Sequence, residues 1–253
     1  FLHEIHFSIF SVIRINPNTI FIKVLNFKII KMLSSSHKKI IEIAIDFLKN
    51  KELTEHKAQL INGCYKQDYP RIKIFGFKFN VSSINHFYHP EKERATWFST
   101  KNAKQLGVQK FNKALKHYSE GKKEKAYFNL GASLHYIQDI ACPSHTNFTW
   151  HYFGGDDFEK GINIFLEREK IKKIELPKKR IEFYFEDISE ISSKFHSGKK
   201  DISEFIKWLI KKSNPLSKQE IEEQHKVLIP LALSYTIRIL ENFIQKTQKA
   251  PVV

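Results

Sequence analysis

A helical segment that must end at a proline is the feature that most constrains this chain. Over residues 123–140, apolar side chains recur three and four positions apart, which predicts an amphipathic helix. Pro143 cannot continue the backbone hydrogen-bond ladder, so the chain must turn there. His135 and Asp139 are four residues apart on one helix face, where they could bind one metal ion, and the turn could return His145 to the same place.

The spacing alone does not establish a metal site. Histidine–aspartate pairs four residues apart are common by chance, and most are ordinary core histidines and surface or capping carboxylates. Gly131, one turn before His135, leaves room for another backbone or a ligand to come close. The helix therefore predicts a close approach, with two open interpretations of its polar residues.

The same helical spacing recurs along most of the chain. The segments with this pattern are residues 36–50, 57–65 (a short helix or turn), 100–120, 123–140, 156–173, 187–196, 201–212 and 217–248. Residues 71–81 alternate apolar and polar side chains and permit a short strand pair around Gly76. Because no repeat or linker divides the chain, the sequence predicts an all-α, single-domain bundle of about seven or eight helices.

The overall charge carries little functional weight. A formal net charge of +15 would suit a nucleic acid, an anionic membrane surface or a phosphate-bearing substrate. However, the basic residues are interleaved with acidic and apolar ones, as over residues 168–180, and do not form a designed groove. We therefore expect no stable nucleic-acid partner. The apolar fraction of 42% and the charged fraction of 27% are typical of a globular protein.

The two cysteines, Cys64 and Cys142, fit no zinc-ribbon or redox spacing. We interpret both as small buried thiols that serve packing.

The first 31 residues have two interpretations. They are either a targeting segment or sequence upstream of a functional start at Met32, the single methionine of the chain. Their apolar stretches are interrupted before the roughly 18 residues of a membrane span. We favour Met32 as the start, which divides the chain into residues 1–31, outside the fold, and a helical domain over 32–253. This start would imply a cytoplasmic protein, and a targeting segment a secreted or cell-surface one.

The amino-acid sequence of residues 130–149 is a more specific signal than the spacing of His135 and Asp139. It resembles the signature Leu-Gly-x-Ser-Leu-His-Tyr-x-x-Asp-x-x-x-Pro-x-His of the zinc-dependent phospholipase C family, which is related in fold to single-strand nucleases and 3′-nucleotidases. The likeness extends over about residues 33 to 165. It includes His37 at the start of the first helix, Asp68 in Asp-Tyr-Pro, and His86 in His-Phe-Tyr, which selects His86 over His89.

This resemblance implies a cluster of two or three zinc ions. One ion would be bound by Asp68, His86, His135 and Asp139. Asp139 would bridge to a second site that includes His37, and His145 and Glu159 would belong to another.

The chain departs from the family at two points. Gly155 stands where the family has a histidine, and His151, Asp156 or a water are candidate replacements. In addition, no tryptophan precedes His37, although the best-known members begin with one that binds zinc.

The resemblance also implies a reaction. A metal-bound water would cleave a phospholipid head-group phosphoester or another phosphodiester, with Asp68 orienting the water or accepting its proton. Peripheral contact with a membrane surface would accompany a lipid substrate. Two alternatives stay open: a nuclease- or nucleotidase-type phosphoesterase, and a non-catalytic helical module stabilised by metal.

Aromatic and histidine residues outside these motifs are interpreted structurally. We expect surface positions for His89, His117, His196 and His225, and core positions for Trp97, Trp150 and Trp208.

Overall fold

The computed structural model describes most of the chain. The described residues are 6–16, 19–28, 34–68, 71–74, 77–80, 85–91, 101–147, 157–169, 171–196 and 216–249. The predicted helix over 201–212, the three tryptophans, and His151, Gly155 and Asp156 lie outside them.

The predicted helical bundle is confirmed. Its helices are α1 (Ser34–Leu48), α2 (Lys51–Glu55), α3 (Lys57–Tyr65), α4 (Ala103–Ser119), α5 (Lys123–Ile140), α6 (Pro143–Thr146), α7 (Asp157–Arg168), α8 (Ile181–Ser192) and α9 (Lys218–Lys249). A 3₁₀ turn, Lys66–Asp68, continues α3. α8 begins earlier than predicted because Ile181, Tyr184, Phe185 and Ile188 extend its buried stripe. α9 passes through Pro230 without ending.

Two antiparallel strand pairs accompany the helices. The pair permitted around Gly76 is present as β3 (Arg71–Ile74) and β4 (Phe77–Asn80), with Ile72 opposite Phe79. A second pair, β1 (His6–Asn16) and β2 (Thr19–Lys28), was not predicted. Its isoleucine, valine and phenylalanine content favours strands.

α5 is the central helix of the bundle. Every residue from Asn129 to Thr146 is buried, so the second half of α5 is covered on all sides. The sequence had predicted an amphipathic helix with only one face buried. Its neighbours include α3, α4, α8 and α9, and α1 contacts it through His37. Polar side chains on this helix therefore need partners inside the protein. Ser133, for example, donates a hydrogen bond of 2.8 Å to the Gly107 carbonyl on α4.

α3 and α5 cross with their backbones in contact. A Cβ atom added at Gly131 would lie 1.9 Å from the Leu60 carbonyl oxygen, and one added at Gly63 would lie 1.9 Å from the Phe128 carbonyl oxygen. The close approach predicted at Gly131 is thus confirmed, and it places the end of α3 beside His135.

α9 is long and apolar enough to cross a membrane by length and composition. However, 67% of its most apolar window is buried inside the bundle, as expected of a core helix.

Candidate metal centre

Asp139, in the last turn of α5, lies at the centre of three histidines. Its Oδ2 atom is 2.6 Å from His86 Nδ1 and 3.1 Å from His135 Nε2, and its Oδ1 atom is 3.2 Å from His37 Nε2. Burial raises the pKa of this carboxyl, but the charges of His135, His86 and His145 outweigh burial and hold the pKa well below its usual range. Asp139 is therefore an anion that organises the site.

His37 comes from the first turn of α1. Its Nδ1 atom lies 2.7 Å from the Gln138 Oε1 atom, and Gln138 Nε2 donates to Thr236 Oγ1 on α9 at 3.2 Å. Burial lowers the pKa of His37, but the hydrogen bond and charge of Asp139, with the charge of Asp68, raise it to about 9. Without a metal ion, His37 is thus a buried cation paired with Asp139.

Asp68 and His135 meet because α3 and α5 are in contact. Asp68, at the end of the 3₁₀ turn, has its Oδ1 atom 3.9 Å from His135 Nε2. Burial lowers the pKa of His135, and the charges of Asp139 and Asp68 offset only part of this. The Asp68 side chain is 14% exposed, whereas that of Asp139 is 2% exposed, so Asp68 is the carboxylate nearer to solvent.

His86 is positioned by the backbone on its C-terminal side. The Tyr88 amide donates to the His145 carbonyl, and the Ala103 amide donates to the Phe87 carbonyl, both at 3.2 Å. His86 is buried against Asp139, whereas the Nδ1 atom of His89 accepts from the Glu91 amide. The structure therefore brings His86, and not His89, to the cluster.

His145 and Glu159 form a second buried group. His145 lies in α6, which Pro143 begins, and its Nε2 atom is 3.2 Å from Glu159 Oε1 on α7. α7 is held by His225 Nε2, 2.7 Å from the Phe158 carbonyl oxygen. The prediction that His225 lies on the surface is wrong, because it is buried against α7.

The donor atoms fit a metal cluster. Four overlapping groups have all their potential ligand atoms within 4.8 Å of one another: His37–Cys64–His135, Asp68–His86–His135, His86–Asp139–His145 and Cys142–His145–Glu159. Among the described residues, Asp139 Oδ2 and His37 Nε2 are buried in ion pairs rather than in ideally aligned hydrogen bonds: Oδ2 lies 2.6 Å from His86 Nδ1, and Nε2 lies 3.2 Å from Asp139 Oδ1. Imidazole nitrogens and carboxylate oxygens that converge in this way suit zinc.

Sequence reasoning missed two side chains near this centre. Cys64 Sγ lies 3.8 Å from His135 Nδ1, and no motif pointed to it. Cys142 lies beside His145 and Glu159, and its position three residues before His145 was the available signal.

A family model and two curated relatives match this chain. A model of the zinc-dependent phospholipase C family matches residues 36–223. A phospholipase C of Listeria monocytogenes is 31% identical over 96 residues, which cover 38% of this chain and 32% of the relative. A phospholipase C of Bacillus cereus is 32% identical over 126 residues, which cover 46% of this chain and 43% of the relative.

Solved structures show the same fold. The alpha toxin of Clostridium absonum superposes with a TM-score of 0.59 at 12% identity, over 88% of this chain and 64% of the toxin. The Clostridium perfringens alpha-toxin gives 0.58 at 14% identity, over 87% and 64%. The chain thus spans less than half of the curated relatives and under two thirds of the toxins. The family match covers more than half of this chain, and we conclude that the chain belongs to the zinc-dependent phospholipase C family, as the motif around Pro143 predicts.

Proposed function

We propose that the chain is a zinc-dependent phosphodiester hydrolase that cleaves a phospholipid head-group phosphoester. The observation that carries this proposal is the Asp139 carboxylate, which contacts histidines from α1, from α5 and from the segment before α4. The relatives named phospholipase C support the choice of substrate class.

Two or three zinc ions would be bound. One ion would be held by Asp68, His86, His135 and Asp139. A second ion would be held by His37 together with Asp139. His145 and Glu159 would hold a further ion. When bound, zinc supplies Lewis acidity toward a phosphoryl oxygen and lowers the pKa of water in contact with it.

Asp68 is the proposed catalytic carboxylate. It is the most exposed of the three clustered carboxylates, so water and substrate can reach it more readily than Asp139 or Glu159. Its role would be to orient the attacking water or to accept its proton.

A direct test compares substrates on one preparation. We expect zinc by elemental analysis and turnover of a choline-phosphate ester that exceeds turnover of a single-stranded oligonucleotide. His135→Ala should remove both zinc and activity, whereas His117→Ala, at a partly exposed histidine on α4, should retain them. Faster cleavage of the oligonucleotide would favour the nuclease-type alternative. Stoichiometric zinc without turnover would favour the non-catalytic module.

The division at residue 32 and the membrane contact belong to the same proposal. The family match covers residues 36–223, which supports a domain boundary near residue 32. Equal zinc content and activity in the full chain and in a chain begun at Met32 would support the division, and loss of either would contradict it. Binding to phosphatidylcholine vesicles would test peripheral contact.

A further inference from the structure

The geometry points to Cys142 as a protein ligand of the zinc held by His145 and Glu159, in place of the histidine that Gly155 lacks. This inference rests on the proposed function only for the presence of zinc. Cys142 would then bind metal in addition to packing in the core.

The three side chains form a compact buried group. Their ligand atoms, Cys142 Sγ, one His145 ring nitrogen and one Glu159 carboxylate oxygen, lie within 4.8 Å of one another. Tetrahedral zinc with bonds of about 2.0 to 2.3 Å needs its ligand atoms roughly 3.3 to 3.8 Å apart. The distance of 3.2 Å between His145 Nε2 and Glu159 Oε1 is already close to that value. Small side-chain rotations would therefore suffice.

The backbone explains why this thiol faces His145. Cys142 is the N-cap residue of α6, and its carbonyl accepts from the His145 amide at 3.0 Å. An N-cap side chain turns back over the first helical turn, where the third residue lies. The Cys142 thiol makes no capping hydrogen bond and instead lies 3.1 Å from Ser144 Oγ. The same sulfur lies within 4.8 Å of a His145 ring nitrogen.

Binding of zinc by Cys142 requires loss of the thiol proton. The Cys142 thiol would lose its proton to solvent as the sulfur–zinc bond forms. Thiolate, carboxylate and imidazole together neutralise Zn²⁺, whereas two imidazoles and a carboxylate leave one positive charge. A thiolate also favours softer metals, so this site should prefer Cd²⁺ more than the nitrogen and oxygen site around Asp139 does.

Cys64 is a built-in control. It is also buried, but it lies at His135 Nδ1, whereas Asp139, Asp68 and His86 all lie on the Nε2 side of that ring. Cys64 is thus on the opposite side of the His135 imidazole from Asp68, His86 and Asp139, and the potential ligand atom that it approaches outside this ring belongs to His37.

The test is titration of the metal-free full chain with Cd²⁺, followed in the ultraviolet for the sulfur-to-cadmium charge-transfer band. We expect the band in the wild type and in Cys64→Ser, and its loss in Cys142→Ser and Glu159→Gln. Cys142→His should bind the same number of ions as the wild type without the band. X-ray absorption of the wild-type zinc protein needs no variant, and should show a sulfur scatterer at about 2.3 Å.

The outcomes separate the two proposals. Metal binding with neither the band nor a sulfur scatterer would overturn the role of Cys142 and leave the zinc cluster intact. A band that survives Cys142→Ser but disappears in Cys64→Ser would also overturn it. Absence of any bound zinc or cadmium would instead overturn the proposed function together with this inference.

Discussion

The Asp139 cluster (His37, Asp68, His86, His135 and Asp139) and the His145–Glu159 pair are built differently. In the cluster, one carboxylate contacts three histidines, and two of the members are one turn apart on the same buried helix. In the pair, two side chains from α6 and α7 meet at 3.2 Å. The cluster therefore depends on a shared anion, whereas the pair depends on how two separate helices are held.

Asp139→Asn should have the largest effect. It leaves the buried His37 cation without its counter-ion, and breaking a buried ion pair costs about 3 to 5 kcal/mol. We expect this loss in the unfolding free energy of the metal-free protein, with loss of zinc and activity. Asp187→Asn, in a partly exposed ion pair with Lys179 on the surface of α8, should cost less than about 1 kcal/mol. Equal effects of the two variants in chemical denaturation would contradict the central role of Asp139.

The pH dependence of the unfolding free energy of the metal-free protein should be the next largest effect. The pKa of His37 is raised from 6.5 to about 9, so its contribution is fully present below pH 6.5 and is lost as the pH rises toward 9. The loss is at most roughly 3 kcal/mol. Urea unfolding in the presence of a chelator, between pH 6.5 and 9, measures it.

Two variants make this measurement specific. His37→Asn should flatten the dependence of the unfolding free energy on pH, and His117→Asn should preserve it. Zinc affinity should change in the opposite direction, because zinc must displace a proton from His37 and binds more tightly as the pH rises. A metal-free protein whose stability rises from pH 6.5 to 9 would contradict the ion pair.

Gly131→Ala should disturb the cluster through the backbone. Alanine is the better helix former by about 1 kcal/mol, but its Cβ would lie 1.9 Å from the Leu60 carbonyl oxygen, so overpacking should dominate. We expect a net loss of about 2 kcal/mol and weaker zinc binding, because α3 carries Asp68 away from His135. Thermal unfolding and zinc titration measure the two effects.

Gly161→Ala is the matched change beside the pair. Its Cβ would lie 2.3 Å from Cε1 of the His225 ring, a side chain that can shift, so the destabilisation should be smaller and confined to α7. If Gly161→Ala instead lowered zinc binding by the cluster and Gly131→Ala did not, the two regions would not be separable in this way.

Glu159→Gln should have the smallest effect on stability. Its amide oxygen can still face His145, so the metal-free protein should lose only about 1 kcal/mol. We expect the zinc content to fall by about one ion per chain, while the cluster keeps its own zinc. Glu167→Gln, an exposed change on the same helix, should alter neither value. Loss of all zinc in Glu159→Gln would show that the cluster and the pair form one cooperative site.

The residues of the Asp139 cluster could be predicted from the sequence more readily than the packing around them. His135 and Asp139 follow from helical spacing, and the family motif selected His86 over His89. The structure places His86 Nδ1 at 2.6 Å from Asp139 Oδ2. The ligand roles themselves stay predictions. The helices were located by apolar periodicity, which is a local property of the chain.

The rest depends on tertiary packing. α5 carries polar residues on several faces, so it was predicted to be amphipathic, whereas neighbouring helices cover its second half completely. His225 was predicted to lie on the surface for the same reason, because its burial depends on the packing of α7 against α9. Cys142 shows the same limit, because the proximity of Glu159 to its thiol depends on how α6 and α7 meet.

The chain of hydrogen bonds from α9 to His37 has a direction. Thr236 donates its hydroxyl proton to the Ala232 carbonyl, so it can only accept from the Gln138 side chain, which must offer its NH₂ group. Gln138 then necessarily presents its oxygen to His37, whose Nδ1 must carry a hydrogen. A main-chain carbonyl in α9 thereby dictates which tautomer a neutral His37 adopts, and it directs the lone pair on Nε2 toward Asp139. The polarity of one helix turn is in this way transmitted across three side chains to the proposed zinc cluster.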